Sequence, residues 1–200
     1  VLALGLAAAQ PVPAHAQVFV ELGAGATWSS NLVRDTIIDG FTVQPTLAPT
    51  LGLSAGTVLS PQYEIAVDLG WARSNLRLSD DQGSRNIIPL TVWSGAVALR
   101  WRVKPWAVAR ARIGAVKYRP AAEGRDATLF RDDQPLEAAV GLGTRFEYTV
   151  GRRWTLGLDV GWDVHRFMTQ ALSAEGFETG LVHRVSVAAT VRWSNARAAR

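Results

Sequence analysis

The sequence predicts an all-β protein, an eight-stranded antiparallel up-and-down transmembrane β-barrel with a filled polar lumen. Three observations predict it. Eight segments between Val18 and Trp193 alternate apolar and polar residues with the period of a strand. Tight turns and long polar joints connect them alternately. One face of nearly every segment is apolar, whereas the other carries Gly, Ser, Thr and charges. A charged face can be enclosed only where its groups satisfy one another, and this face holds both acids and bases. Apolar residues outside and charges inside suit a barrel in lipid.

The chain of 200 residues is long enough for one domain. It has no cysteine, which removes disulfides and thiolate metal sites. We expect neither a cofactor nor a metal. The net charge of +4 is mild, and no Lys/Arg run or basic helix carries it, so nucleic acid is not an expected partner. Val1–Ala9 is an apolar stretch followed by Pro11, Pro13 and an Ala14-His15-Ala16 cleavage pattern. Residues 1–16 are therefore expected to be a signal peptide, truncated at its N-terminus. The barrel is expected over 17–193 and a periplasmic C-terminal tail over 194–200. Beyond residue 16 no stretch approaches the ~18–20 continuous apolar residues of a membrane helix.

The first segment sets Val18, Val20, Leu22, Ala24, Ala26 and Trp28 against Phe19, Glu21, Gly23, Gly25 and Thr27. The second runs from Phe41 to Gly56, with Phe41, Val43, Pro45, Leu47, Pro49, Leu51, Leu53 and Ala55 on the apolar face. Its two prolines cannot donate to a ladder, which argues against pairing on both sides there. The third opposes Tyr63, Ile65, Val67, Leu69 and Trp71 to Glu64, Asp68, Gly70 and Ser74. The fourth opposes Trp93, Val97, Leu99, Trp101 and Val103 to Ser94, Ala96, Arg100 and Arg102. Upstream, Ile88, Leu90 and Val92 are apolar in the phase of Arg100, so a β-bulge near Pro89–Ser94 is expected to flip the register.

The fifth segment sets Ala107, Ala109, Ala111, Ile113 and Ala115 against Arg110, Arg112 and Gly114, with Trp106 and Val108 falling on the charged side. The sixth sets Leu136, Ala138, Val140, Leu142, Phe146 and Tyr148 against Glu137, Gly141, Gly143, Arg145 and Glu147. The seventh sets Trp154, Leu156, Leu158, Val160, Trp162 and Val164 against Thr155, Gly157, Asp159, Gly161 and Asp163. The eighth sets Val185, Val187, Ala189, Val191 and Trp193 against Arg184, Ser186, Thr190 and Arg192. Ser60-Pro61-Gln62, Lys104-Pro105 and Gly151-Arg152 are tight turns. The other joints, roughly 29–40, 75–86, 119–135 and 166–180, are expected to be long loops. Short turns at one end and longer loops at the other suit a barrel with periplasmic turns and extracellular loops.

The enclosed face is expected to hold a salt-bridge network of Glu21, Glu64, Asp68, Arg100, Arg102, Arg110, Arg112, Glu137, Arg145, Glu147, Asp159, Asp163, Arg184 and Arg192. A lone buried charge is costly, so these groups must pair. The planar fork of arginine suits carboxylates better than lysine does. Glycines on the same face are expected to make room for the arginines. Trp28, Tyr63, Trp71, Trp93, Trp101, Tyr148, Trp154, Trp162 and Trp193 lie near segment ends on the apolar face, where aromatic girdles belong.

The chain resembles the small eight-stranded outer-membrane β-barrel proteins of the OmpA-transmembrane, OmpX and opacity-protein type. The likeness rests on architecture over Gln17 to Trp193, and its most specific part is Val185–Trp193, an alternating strand ending in an aromatic. The resemblance implies residence in the bacterial outer membrane with both termini periplasmic. It also implies contact with outer-membrane lipid and lipopolysaccharide, and insertion by the outer-membrane assembly machinery.

The leading functional expectation is a surface barrel with a structural or adhesion/envelope-interaction role, whose long loops meet a host or envelope ligand. A narrow channel for small solutes or ions is the alternative. A lipid A-modifying acyl hydrolase or transferase is a third, and a soluble lipocalin-like barrel with its apolar face inward is a fourth. The enzyme reading finds little support. Beyond residue 16 the histidines are His165 and His183, and His183 and Ser186 fall on opposite faces of a strand. Asp80-Asp81 and Asp132-Asp133 read as loop charges. Gly141-Leu142-Gly143 is strand glycine rather than a phosphate loop, because no helix follows.

Overall fold

The computed structural model describes residues 17–34, 40–121, 136–167 and 180–195. The expected signal peptide, the end of the tail and the middles of three long joints lie outside these residues. Every regular element among them is a strand: β1 (Gln17–Ser29), β2 (Val33–Arg34), β3 (Thr42–Pro45), β4 (Ala48–Val58), β5 (Tyr63–Asp80), β6 (Gly83–Lys104), β7 (Ala107–Pro120), β8 (Leu136–Val150), β9 (Trp154–Arg166) and β10 (Leu181–Ser194). Eight of them close a ring. The order is β1-β4-β5-β6-β7-β8-β9-β10 and back to β1, with every neighbour antiparallel. Closure leaves the wall without the open edge on which extended chains aggregate. The remaining pair, β2 and β3, forms a hairpin on the far half of β5.

Three tight turns mark one end. In the first, Ser60 Oγ accepts from the backbone N–H of Tyr63 at 3.1 Å. The second holds Pro105 and Trp106, and the third, residues 151–153, starts with Gly151 at φ 72°, where a side chain would be strained. The two described chain ends meet here too. Val18 donates its backbone N–H to Asn195 Oδ1 at 3.0 Å, and Ser194 donates to Arg153 O at 2.9 Å. At the opposite end β5 and β6 run on as one hairpin, with only Asp81 and Gln82 between the paired Asp80 and Gly83. Residues 75–86, expected as a long loop, are thus mostly strand.

Two further expectations are corrected. The second predicted segment is two strands, because β3 and β4 pair with β5 in registers that differ by one residue. Val43 and Pro45 are therefore buried inside, while Leu47, Pro49 and Leu51 face outward. Pro45 is bridged only to β5 and Pro49 only to β1, as residues lacking an N–H require. The expected bulge near Pro89–Ser94 is absent. β6 keeps one register against β5 from Ile88 to Trp101, and the shift falls beyond it, between Leu76 and Arg77. Ile88, Leu90 and Val92 point inward in the same phase as Arg100, all at most 6 % exposed. A second shift between Arg102 and Lys104 frees Trp106 from the interior. It lies outside, stacked on Phe146 with centroids 6.1 Å apart, while Val108 points inward.

Candidate functional site

The interior has two layers and a space between them. Beside the tight turns lies a connected ionic layer. Glu21 of β1 stands at its centre, gripped at both oxygens by Arg145 of β8 and reached by Arg100 of β6 at 3.3 Å. Arg100 also donates to Asp68 at 2.8 Å and to Ser54 Oγ at 2.6 Å. Arg145 extends to Asp159 at 3.1 Å, which Arg110 holds with two further bonds of 2.7 and 3.1 Å. Arg192 binds both oxygens of Glu64 at 2.9 Å, and Arg102 bridges Glu147 at 2.9 Å to Glu64 at 3.6 Å. Arg145 also reaches Glu147 at 3.8 Å, so five arginines and five carboxylates form one neutral network. Ions buried this deeply are tolerated only with such geometry.

The other predicted members take different places. Arg112 and Asp163 form a bidentate pair of their own. Arg184 stands opposite Asp163 and Ser29 in the ladders. Glu137 stands opposite Val116, and its field reaches Tyr118. Phe19 carries no charge but belongs to the layer, with the Arg192 guanidinium 3.8 Å and that of Arg100 5.2 Å from its ring centre. The glycines divide. A Cβ on Gly141 would strike Asp163 and Arg112, and one on Gly143 or Gly161 would press on Arg110 at 3.1 Å. Gly25 and Gly114 instead meet the backbone of the neighbouring strand.

Above the ions lies a cavity of about 140 Å³, with Thr27, Thr50, Ser94, Ser186 and Thr190 among its lining. Its roof begins an apolar layer that the sequence reading missed. Leu76, Leu90 and Val182 are 0 % exposed, and Ile88, Val43, Tyr118 and Phe167 at most 2 %. The β2–β3 hairpin adds Val33, and Leu32 precedes it. His165 is buried here, its Nε2 2.6 Å from the Tyr118 hydroxyl, and Phe167 packs edge-on against Tyr118 at 5.0 Å. Burial lowers the His165 pKa to about 4, helped by the Arg184 charge. Burial raises that of Tyr118, so the pair shares its hydrogen bond as a neutral phenol and a neutral imidazole. The legible signal was that Leu76, Leu78, Tyr118 and Val182 share the inward phase of Ile88, Leu90 and Val92.

The outer face carries two aromatic bands. Tyr63, Trp101, Tyr148, Trp154 and Trp193 lie towards the tight turns, joined by Trp106, and Trp28, Trp71, Trp93 and Trp162 lie towards the other end. On β5, β6 and β9 the two bands are eight residues apart: Tyr63 to Trp71, Trp93 to Trp101, Trp154 to Trp162. That is about 26 Å along a strand and about 20 Å of height at the usual tilt. Between the bands Leu22, Leu51, Val67, Leu69, Val97, Ile113 and Val140 are exposed.

No protein-family model matches the sequence, and no curated protein matches it. Solved structures share its fold. Neisserial surface protein A superposes with a TM-score of 0.57 at 14 % identity, over 88 % of this chain and 96 % of that one. Ail, the attachment invasion locus protein of Yersinia pestis, in complex with the heparin analogue sucrose octasulfate, gives 0.54 at 11 % identity over 89 % and 99 %. The outer membrane protein OprG from Pseudomonas aeruginosa gives 0.56 at 13 % identity over 90 % and 96 %. The fold is that of the small eight-stranded outer-membrane β-barrels.

Proposed function

We propose that the chain is a non-enzymatic barrel of the bacterial outer membrane, with both termini periplasmic and a structural or adhesion/envelope-interaction role through its extracellular loops. The observation that carries this reading is the packing of the interior, a buried ionic network at one end and a buried apolar cluster at the other. A barrel filled in this way would offer its surroundings its lipid-facing wall and its loop end. Lipid and lipopolysaccharide would surround the wall, a host or envelope ligand would meet the loops, and the assembly machinery would read Val185–Trp193. The buried pairing of His165 with Tyr118 leaves no exposed nucleophile–base pair there and speaks against an acyl hydrolase or transferase. The surface proteins with this fold, Neisserial surface protein A and the Yersinia attachment protein, support the reading by analogy.

Two measurements test it. In planar bilayers the refolded protein is expected to carry no steady current, and stable single-channel steps would overturn the closed-barrel reading in favour of a channel. On whole cells, replacing residues 122–135 and 168–179 with short linkers is expected to abolish binding to host or envelope extracts while the barrel still fractionates with the outer membrane. Unchanged binding would overturn the role of the loops.

A further inference from the structure

Just beyond the upper aromatic band, the outer face differs around the barrel. Across β5, β6 and β7 the ladders align Trp71, Trp93 and Lys117 in one row and Arg73, Thr91 and Arg119 in the next outward row. Arg73, Lys117 and Arg119 are all exposed, and none is ion-paired among the described residues. Further out the same face holds Asn75, Arg77 and Pro89, and the described residues of these strands place no carboxylate on it, since Asp80 near the hairpin tip falls in the inward phase of Leu76 and Leu78. The other side of the barrel is different. There the row of Trp28, Val185 and Trp162 is followed by His183 and Val164, and the next position along β10 is Leu181. The first described cation on that side is Arg166.

We propose that the β5–β7 face binds the phosphate groups of a phosphorylated glycolipid of the lipid A type in the outer leaflet. The inference rests on the outer-membrane reading above. Strand spacing of about 4.8 Å sets Arg73 and Arg119 about 10 Å apart, flanking Thr91, and Lys117 lies about 6.6 Å below Arg119. Side chains of this reach converge on one headgroup, and guanidinium forks grip phosphate oxygens in pairs. Trp71 and Trp93 fix the height. They place indoles at the boundary of the acyl chains, so the three cations lie at the level of the headgroups. Cations that merely stretch to water would be spread around the barrel, whereas these are confined to three adjacent strands.

The test uses the full barrel refolded in phosphatidylcholine nanodiscs and titrated with bisphosphorylated lipid A. The variant R73Q/K117Q/R119Q is expected to bind at least tenfold more weakly, while R166Q on the other face stays within twofold. Lipid A stripped of its phosphates should not bind. Backbone amide signals of Arg73, Thr91 and Arg119 in the unaltered protein should shift on addition, and those of β9 and β10 should not, which tests the site even where the triple variant fails to fold. Binding by the folded triple variant at unaltered affinity, or equal shifts on both sides, overturns the proposal, as does equally tight binding of phosphatidylglycerol. Heat-modifiable gel migration and protease protection in the same nanodiscs read membrane integration separately. Loss of those signals would count against the outer-membrane reading itself rather than the lipid site alone.

Discussion

The two halves of the same strands obey opposite rules. In the half beside the tight turns, β5 shows Ile65, Val67 and Leu69 outward and Glu64 and Asp68 inward; further along it shows Arg73, Asn75 and Arg77 outward and Leu76 inward. β7 does the same, from Ala109 and Ala111 outside with Arg110 and Arg112 inside to Lys117 and Arg119 outside with Val116 and Tyr118 inside. The backbone alternates without interruption, and only the chemistry of the two faces is exchanged. The exchange falls at the upper aromatic band. Below it the outside solvent is hydrocarbon, so the polar groups must be satisfied within the barrel. Above it the outside solvent is water, and the hydrophobic effect again draws apolar groups inward. One chain thus folds as a membrane protein and as a water-soluble one along a single set of strands.

The largest effect that would break this contrast is expected from the ionic half. Arg145→Met takes from Glu21 its main partner and leaves Asp159 to Arg110 alone, and loss of one side of a buried pair typically costs about 3–5 kcal/mol. The variant should unfold at markedly lower urea in micelles, and an unshifted midpoint would mean that water already screens this layer. Leu90→Ala acts on the apolar half and should cost about 2–4 kcal/mol through the cavity it leaves. Hydrogen exchange should then accelerate in the outer parts of β5 and β6 while amides near Arg100 keep their protection. Uniform acceleration would show the layers to be one cooperative unit.

Outward substitutions on a single strand sharpen the boundary. Val67→Arg faces hydrocarbon and should destabilise by about 2–3 kcal/mol, whereas Asn75→Arg, on the same face of β5, should change stability by less than about 0.5 kcal/mol. Equal costs would place the membrane boundary elsewhere. A smaller loss than that of Val67→Arg is expected of Tyr118→Phe, which removes one hydrogen bond worth about 1 kcal/mol. With His165 at about 4 in the folded protein against 6.5 in the unfolded chain, its contribution is intact above pH 6.5 and is lost as the pH falls towards 4. A proton NMR titration of the His165 ring should find its midpoint well below 6; a midpoint near 6.5 would place the ring in water.

The lower half was legible because period-two alternation with charge on one face has few solutions in lipid. Glu21, Arg100, Arg145 and their neighbours were all placed on the enclosed face from residue parity alone. Individual pairings were not, since Glu21 and Arg145 are joined by the curvature of a closed wall rather than by any sequence spacing. The apolar layer escaped for a different reason. Ile88, Leu90 and Val92 fit a single rule for the inside only through a register slip. The solvent outside had changed instead. Residues 75–86 misled through composition, because Ser79, Asp80, Asp81 and Gly83 suit a loop as well as the tip of a hairpin whose outward face is wet.

Glu21 also bears on how the barrel comes together. It sits on the first wall strand, next to the seam with the last, and the arginines that hold it belong to the fourth and sixth strands of the ring. Until β1 docks, Arg100 and Arg145 lack this shared anion, and an open sheet in the bilayer would carry uncompensated positive charge at its centre. The final neutralisation therefore coincides with circularisation. A half-closed barrel gains little from partial docking, which favours a sharp last step in which the seam zips and the central charge vanishes together.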